Sequence, residues 1–321
     1  MSERKIAVGV LAYNVQDYIN KVIHELLTLN TFIIIVNDCS TDKTSELLNQ
    51  FKENENIKIV ENKKNYGAGY SSKLLFQEAE KQGYDFLIKI DGDGQFKNED
   101  VKKIVNLAKY ENYDFIKSNR FWSGGIEGSI PKQRYFGNLL ATFFMQLVSG
   151  TNNIFDPLNG LFGCSVKILD FLDSAKYPKR YGYPYFITIT AIINRFKTYQ
   201  INNVVKYEDQ ESSLKALKML FLILRLNFYF YSKKNKLKKQ NGPYQKSAFF
   251  DSMFKLFLFI SSGLFLSLIF DIYFNKLNFV SASTLLFLVL TTFVVSIFFF
   301  SSSYKEEIKL RRLYISNEIE K

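Results

Sequence analysis

Histidine is nearly missing from this 321-residue chain, with His24 the single example. That excludes catalysis by a histidine pair and any histidine-built metal centre. His24 therefore reads as a surface or half-buried helix residue. Cysteine is almost as scarce. Cys39 and Cys164 are too few for a disulfide framework and fit a reducing, cytosolic environment. The opening Met1-Ser2-Glu3-Arg4-Lys5 lacks the apolar run of a cleaved signal peptide. Acid is missing where base is dense: residues 212–250 hold nine Lys or Arg and no Asp or Glu. Residues 1–211 are close to balance, with 26 basic and 25 acidic side chains. The formal net charge of +11 is thus mostly one patch.

The neighbours of that patch give it meaning. Phe254 to Phe270 is apolar apart from Lys255 and a few Ser and Gly, and Leu277 to Tyr304 carries no charge. With their flanks, both can cross a hydrocarbon core of ~30 Å, although a buried core hairpin competes for the first. Leu214 to Tyr231 is apolar with Lys215, Lys218 and Arg225 interspersed. That pattern suits a helix lying in the headgroup plane, its lysines reaching for water. The cluster Lys233 to Lys239 would face anionic lipid; beside two apolar stretches, nucleic acid is the poorer reading. Basic flanks at 225–246 and 305–312, against Lys276 alone in the connecting loop, put both ends on the cytoplasmic side.

The first two thirds alternate strand and helix. Lys5 to Ala12 reads as a strand, and a helix follows over about Asp17 to Leu29 with Val22, Ile23, Leu26 and Leu27 as its apolar stripe. Phe32 to Val36 is a second strand. It ends in Asn37-Asp38-Cys39-Ser40-Thr41-Asp42, where Ser40 or Thr41 can cap the next helix and Asp38 can accept a hydrogen bond from a nucleobase. Ile57 to Val60 is a third strand. Asn65-Tyr66-Gly67-Ala68-Gly69 then opens a helix over about Tyr70 to Lys81. Ser72 stands where a dinucleotide fingerprint needs its third glycine, which disfavours NAD. The alternation to this point implies a parallel, doubly wound sheet.

Phe86 to Ile90 is a fourth, buried strand, and it runs into Asp91-Gly92-Asp93-Gly94-Gln95. Open α/β sheets bind ligands at the carboxyl ends of their strands. Two carboxylates and an amide oxygen there are hard ligands suited to Mg²⁺ or Mn²⁺ bridging to a diphosphate. Asp-Gly pairs also make ordinary turns, and EF-hand spacing is excluded because Phe96 and Lys102 stand at its glycine and glutamate positions. A helix over 99–109, a strand from Phe115 to Lys117 and a glycine-rich loop over 121–130, expected to be mobile, come next. Pro131 opens an apolar helix to about Val148, Asp156 to Gly160 is a turn, 184–196 is helical, and Gln200 to Tyr207 is a strand.

Taken in order, LAYN (11–14), NDCSTD (37–42), NYGAG (65–69) and DGDGQ (91–95) resemble family 2 glycosyltransferases of the GT-A fold. SNR (118–120), PKQRYFGN (131–138) and the two apolar stretches narrow the resemblance to the polyprenyl-phosphate glycosyltransferases. That group includes dolichol-phosphate mannose synthases and bacterial undecaprenyl-phosphate sugar transferases. The resemblance implies that Ala12, Tyr13, Asn14, Asp38, Asn65, Gly67 and Asp91 hold the nucleotide. It implies that Asp93 and Gln95 bind Mg²⁺ or Mn²⁺ on the diphosphate, and that Arg120 and Arg134 grip the lipid phosphate. Asp91, Asp93, Arg120 and Arg134 form the implied catalytic set. Two positions depart from the pattern: Val15 stands where the family has Glu, and Asn37 where it has the first Asp of a pair. Both are on the nucleotide side. The QxxRW stretch of processive synthases is missing.

The expectation is a GT-A domain over 1–211, a basic juxtamembrane segment over 212–248, two transmembrane helices within 249–304 and a cytoplasmic tail over 305–321. Its activity would be metal-dependent, inverting transfer of a hexose from a nucleotide-diphosphate sugar to polyprenyl phosphate in a membrane, the bacterial inner membrane being the expected one, with no nucleic acid as partner and a homo-oligomer open. Transfer to a lipid-linked glycan, or a non-enzymatic scaffold role, are the alternatives.

Overall fold

Short apolar runs bounded by turn residues become strands, and runs with helical periodicity become the layers covering them. The computed structural model describes residues 4–122, 126–127, 130, 132–151, 153–206, 216–240, 245–273 and 279–319. The chain divides into two compact units, 1–228 and 229–321.

In the first unit, β1 (Ile6–Ala12), α1 (Ile19–Leu27), β2 (Phe32–Asn37), α2 (Thr44–Asn49), β3 (Ile57–Glu61), α3 (Ala68–Lys81), β4 (Phe86–Asp91), α4 (Asn98–Tyr110) and β5 (Phe115–Asn119) alternate along the chain. They are followed by β6 (Ile126–Glu127), α5 (Lys132–Ser149), β7 (Phe162–Ser165), a 3₁₀ turn over Val166–Phe171, α6 (Tyr183–Ile193), β8 (Thr198–Asn202) and β9 (Val205–Lys206). Seven strands form one sheet in the order β3-β2-β1-β4-β7-β5-β8, and β6 pairs with β9. Strands β1 to β4 pair in parallel. Ile33, Ile34 and Ile35 are all completely buried, as expected of a strand covered on both faces. Removing a side chain of that size from water is worth about 1.5–3 kcal/mol.

The chain leaves β1 toward β3 and then returns to β4 on the other side of β1. The topological switch point, where open α/β sheets form a crevice, therefore falls between the carboxyl ends of β1 and β4. There Leu11 lies opposite Asp91, and on the other flank Ala12 lies opposite Asn37.

Beyond β4 the sheet differs from the parallel expectation. Strand β7 runs antiparallel to both of its neighbours, β4 and β5. Lys89 and Lys117 consequently lie opposite Phe162 from its two sides, and both lysines are completely buried. Capping of α2 also differs. Neither Ser40 nor Thr41 caps it: the helix starts at Thr44, whose N–H donates to Asp42 Oδ1 at 2.9 Å. His24 is exposed, as expected, with Nδ1 2.7 Å from the Asn20 carbonyl.

Helix α7 (Ala216–Gln240) begins in the first unit. There Leu222 approaches Gly182, and Tyr185 Oη donates to Asn227 Oδ1 at 2.8 Å, while Phe221 and Phe228 are exposed. The segment read as an interfacial helix thus has one face packed on α6. In the second unit, α8 (Gln245–Tyr273) and α9 (Phe279–Ile319) pack together. Both contain a stretch long and apolar enough to cross a membrane, Lys246–Ile272 and Ala282–Glu307, of which only 11% is buried. Core helices of soluble proteins are mostly buried, which makes these two helices candidate membrane spans. At one end of the pair, Lys234 Nζ meets Glu307 at 3.0 Å, and Ser303 Oγ donates to Asp251 Oδ1 at 2.6 Å.

Candidate active site

The loops after β1 and β2 are tied to each other. Asn14, at φ 52, donates its N–H to Ser40 Oγ at 3.1 Å, and its Oδ1 accepts the Thr41 N–H at 2.8 Å. The Val15 N–H donates to Thr44 Oγ1 at 2.9 Å, and the Asp38 N–H to the Ala12 carbonyl at 2.9 Å. Tyr13 is left 46% exposed beside them, a flat surface on which a base can lie.

Asp38 is 4% exposed and serves the neighbouring loop. Its Oδ1 accepts Asn62 Nδ2 at 2.7 Å and the Tyr66 N–H at 3.0 Å, and its Oδ2 accepts the Gly67 N–H at 2.7 Å. Gly69 and Tyr70 donate their N–H groups to the carbonyls of Arg180 and Lys179 at 3.1 and 2.8 Å. A Cβ on Gly69 would overlap the Pro178 carbonyl, so glycine permits this approach. Within NYGAG the amides of Tyr66, Gly67 and Gly69 are therefore committed inside the protein. Asn65 and Tyr66 still have side chains to offer a nucleotide.

The departure at Asn37 has a local cause. Its Nδ2 donates to Glu61 Oε2 at 2.9 Å and to Ser45 Oγ at 2.7 Å. An aspartate there would face Glu61 carboxylate to carboxylate. Val15 is half-buried against the core, where an apolar side chain has a place.

At the carboxyl end of β4, Asp91 is ion-paired with buried Lys89, Oδ1 to Nζ 2.6 Å. The Tyr183 ring lies 5.2 Å from that Nζ. Asp93 accepts the Gln95 N–H at 3.1 Å, and its burial and then the Asp91 charge push its carboxyl up to about 6. Two carboxylates close enough for one to raise the other's proton affinity, beside an amide side chain, fit a divalent cation. No group of three His, Cys, Asp or Glu residues able to hold a metal occurs among the described residues. A cation here would depend on the donor diphosphate and water for its other ligands.

Arg120, just past β5, is half-buried against Asp156: Nε lies 3.0 Å from Oδ2 and Nη2 3.1 Å from Oδ1. Arg134 falls in the first turn of α5, and its side chain lies outside the described residues, as does most of the loop over 121–130. Three residues in this region escaped the sequence reading. Asp156 passed for part of a turn, and Lys89 and Lys117 for strand residues. Burial lowers the Lys117 pKa to about 7, and its Nζ donates to the Asn159 carbonyl at 2.6 Å. A lysine inside an otherwise apolar strand was the available signal, since such a charge requires a buried partner.

A mixed sheet of this order, with a nucleotide-type crevice and an acidic turn at its switch point, is the GT-A type of glycosyltransferase fold. The model of glycosyl transferase family 2 matches residues 7–172, and the chain belongs to that family. It is a glycosyltransferase. An uncharacterised protein of Methanocaldococcus jannaschii is 25% identical over 223 residues, 67% of this chain and 93% of that protein. The UDP-N-acetylglucosamine–dolichyl-phosphate N-acetylglucosaminyltransferase of Methanococcus voltae is 26% identical over 195 residues, 56% of this chain and 77% of its own length. Among solved structures, glucosyl-3-phosphoglycerate synthase of Mycobacterium tuberculosis with uridine diphosphate matches at a TM-score of 0.55 and 18% identity, covering 70% of this chain and 80% of that one. The same synthase has been solved with Mn²⁺, uridine diphosphate and its product.

Proposed function

We propose that the protein transfers a hexose from a nucleoside-diphosphate sugar to a polyprenyl phosphate at a membrane surface. The observation that carries this reading is a cation beside an apolar helix face. Phe121, next to Arg120, meets Tyr135 edge-on with ring centroids 5.5 Å apart. From there α5 exposes Tyr135, Phe136, Leu139, Leu140 and Phe143. A phosphate with a long hydrocarbon tail needs those two surfaces side by side. The dolichyl-phosphate enzyme among the relatives and the two apolar helices support the same acceptor.

The chemistry asks little of the side chains. A phosphate monoester has its second pKa near ~6, so at neutral pH the acceptor is already an anionic nucleophile and needs no general base. Tyr13, Asn14, Ala12 and Asn65 line the nucleotide side, Asp38 and Gly67 hold the loop that carries Asn65, and Asp91, held by Lys89, reaches the donor. Asp93 and Gln95 would hold Mg²⁺ or Mn²⁺, which when bound neutralises charge on the leaving diphosphate. Arg120 and Arg134 orient one phosphate oxygen toward the anomeric carbon, and a single in-line displacement inverts it.

Membranes containing the protein, given a panel of nucleotide sugars with undecaprenyl or dolichyl phosphate, should form an organic-extractable, acid-labile sugar phospholipid. Product appearing only on a lipid-linked glycan, or none at all, would sink the proposal. In Arg134→Ala the acceptor KM or the turnover should worsen by roughly ten- to a hundredfold, the worth of a charge-assisted hydrogen bond. Nucleotide affinity should hold, and Arg134→Lys should rescue only in part, because it keeps the charge and loses the fork. Weakened nucleotide binding with normal acceptor kinetics would reassign the arginine to the donor.

The site and both termini would lie on the cytoplasmic side, given the basic flanks of the two helices. Reporter fusions at the N-terminus and after Lys321 should both read cytoplasm; opposite signals from the two ends would mean an odd number of crossings.

A further inference from the structure

In sequence, Asp156 to Gly160 is a turn of ordinary composition. In the fold it touches both sides of the site. Asp156 is completely buried and sits at φ 53, and its carboxylate accepts four hydrogen bonds. Oδ1 accepts Arg120 Nη2 at 3.1 Å and Asn138 Nδ2 at 2.5 Å. Oδ2 accepts the Arg120 N–H at 3.2 Å and Asn159 Nδ2 at 3.1 Å, and lies 3.0 Å from Arg120 Nε in the ion pair. At the far end of the turn, Gly160 lies against Asp91 so closely that a Cβ would overlap Asp91 Oδ2.

We infer that Asp156 is a positioning residue, setting the guanidinium plane of Arg120 and the seat of helix α5 so that the acceptor phosphate meets the donor in line. The identity of the acceptor rests on the function proposed above. The role of Asp156 does not depend on which acceptor it is.

An ion pair that merely held the fold together would have no reason to join these particular elements. A buried pair is in general replaceable by apolar side chains without loss of stability. This one joins the end of β5, where Arg120 stands, to Asn138 on α5. Asn138 is one helical turn after Arg134, and residues four apart share a helix face. Through Asn159 and Gly160 the same turn reaches the Asp91–Lys89 pair. One carboxylate thus governs the spacing between the two arginine-bearing elements, and its own turn abuts the donor carboxylate. A displacement of about 1 Å in such a constellation can cost about a hundredfold in rate.

The test is a double-mutant cycle on the full-length protein in membranes, with Asp156→Asn, Arg120→Lys and the pair combined. Asparagine keeps the shape and drops the charge that holds the fork. Asp156→Asn should lower acceptor kcat/KM by roughly ten- to a hundredfold and leave nucleotide affinity within about twofold. If Asp156 acts through Arg120, the double variant should be no worse than Arg120→Lys alone. Fully additive losses, or equal losses in donor and acceptor parameters, would overturn the inference. Should Asp156→Asn fail to accumulate, Asn138→Ala severs only the α5 arm, and a wild-type acceptor KM in that variant would equally overturn it. If the wild-type enzyme uses another acceptor, the polyprenyl-phosphate reading falls. The same cycle on the acceptor actually used still decides the role of Asp156.

Discussion

Asp93→Asn is expected to abolish metal-supported sugar transfer while leaving the fold intact. Transfer by the wild type should stop in EDTA and return with Mg²⁺ or Mn²⁺; the variant should recover with neither. Loss of a preorganised charge contact at a reacting phosphate costs on the order of a hundred- to a thousandfold in turnover. The fold should tolerate the change because an asparagine Oδ1 can still accept the Gln95 N–H that now reaches Asp93 at 3.1 Å. Stability should even move the other way. The folded carboxyl titrates at about 6, raised by burial and then by Asp91 from an ordinary value of 3.8. A carboxyl raised in the fold favours the folded state at pH below its unfolded pKa, and that advantage is lost as pH climbs to the folded value. At neutral pH the ionised group is therefore a penalty in the metal-free protein, and asparagine removes it. Thermal unfolding in EDTA at pH 7 should show the variant at least as stable as the wild type. Full activity of Asp93→Asn in EDTA would remove the metal from this turn altogether.

Gly160→Ala should also be costly, for a reason visible only in three dimensions. The added methyl would overlap Asp91 Oδ2 and lie 3.3 Å from Lys89 Nζ and 3.5 Å from Asp91 Cγ. Neither partner moves freely. Lys89 is completely buried and Asp91 is held to it at 2.6 Å. Asp91 must swing out of the crevice or the turn must retreat, and either breaks the donor-side geometry. Turnover should fall by roughly ten- to a hundredfold and nucleotide affinity should weaken with it. Overpacking should lower stability by about 1–3 kcal/mol. Gly137→Ala is the matched control, because a Cβ there meets nothing within 4 Å and the helical position favours alanine by about 1 kcal/mol. Titration of uridine diphosphate into both variants, beside their melting curves, separates a local displacement from unfolding. A folded Gly160→Ala protein with wild-type nucleotide affinity and turnover would show that the turn yields instead of Asp91.

Much of this site is legible in one dimension because its parts stand at strand ends. Apolar runs such as Phe32 to Val36 and Phe86 to Ile90 cannot remain in water, and the polar residues that follow them must emerge at the sheet's carboxyl edge. Asp38, Asp91, Asp93 and Gln95 stand at such strand ends. Strand β7 is not legible in this way, since Phe162-Gly163-Cys164-Ser165 is short, holds a glycine and shows no alternation. Missing β7 meant missing what it does to Lys89 and Lys117, because their burial depends on a strand more than forty residues further along the chain than either of them.

The amino-acid sequence by itself determined the alternation of β1 to α4, the acidic turn at the end of β4, the two long apolar helices and the family. Each follows from local periodicity, or from motifs whose residues are neighbours in the chain. The tertiary structure alone decided which polar groups are spent inside the protein and which face the crevice. Asp38 is committed to the loop after β3, Asn37 to Glu61, and Asp156 to Arg120 and Asn138. A buried charge must find its partner wherever the fold brings one, and for Asp156 those partners lie 36 and 18 residues away. No spacing rule reads such pairs, because sheet order and strand direction set them.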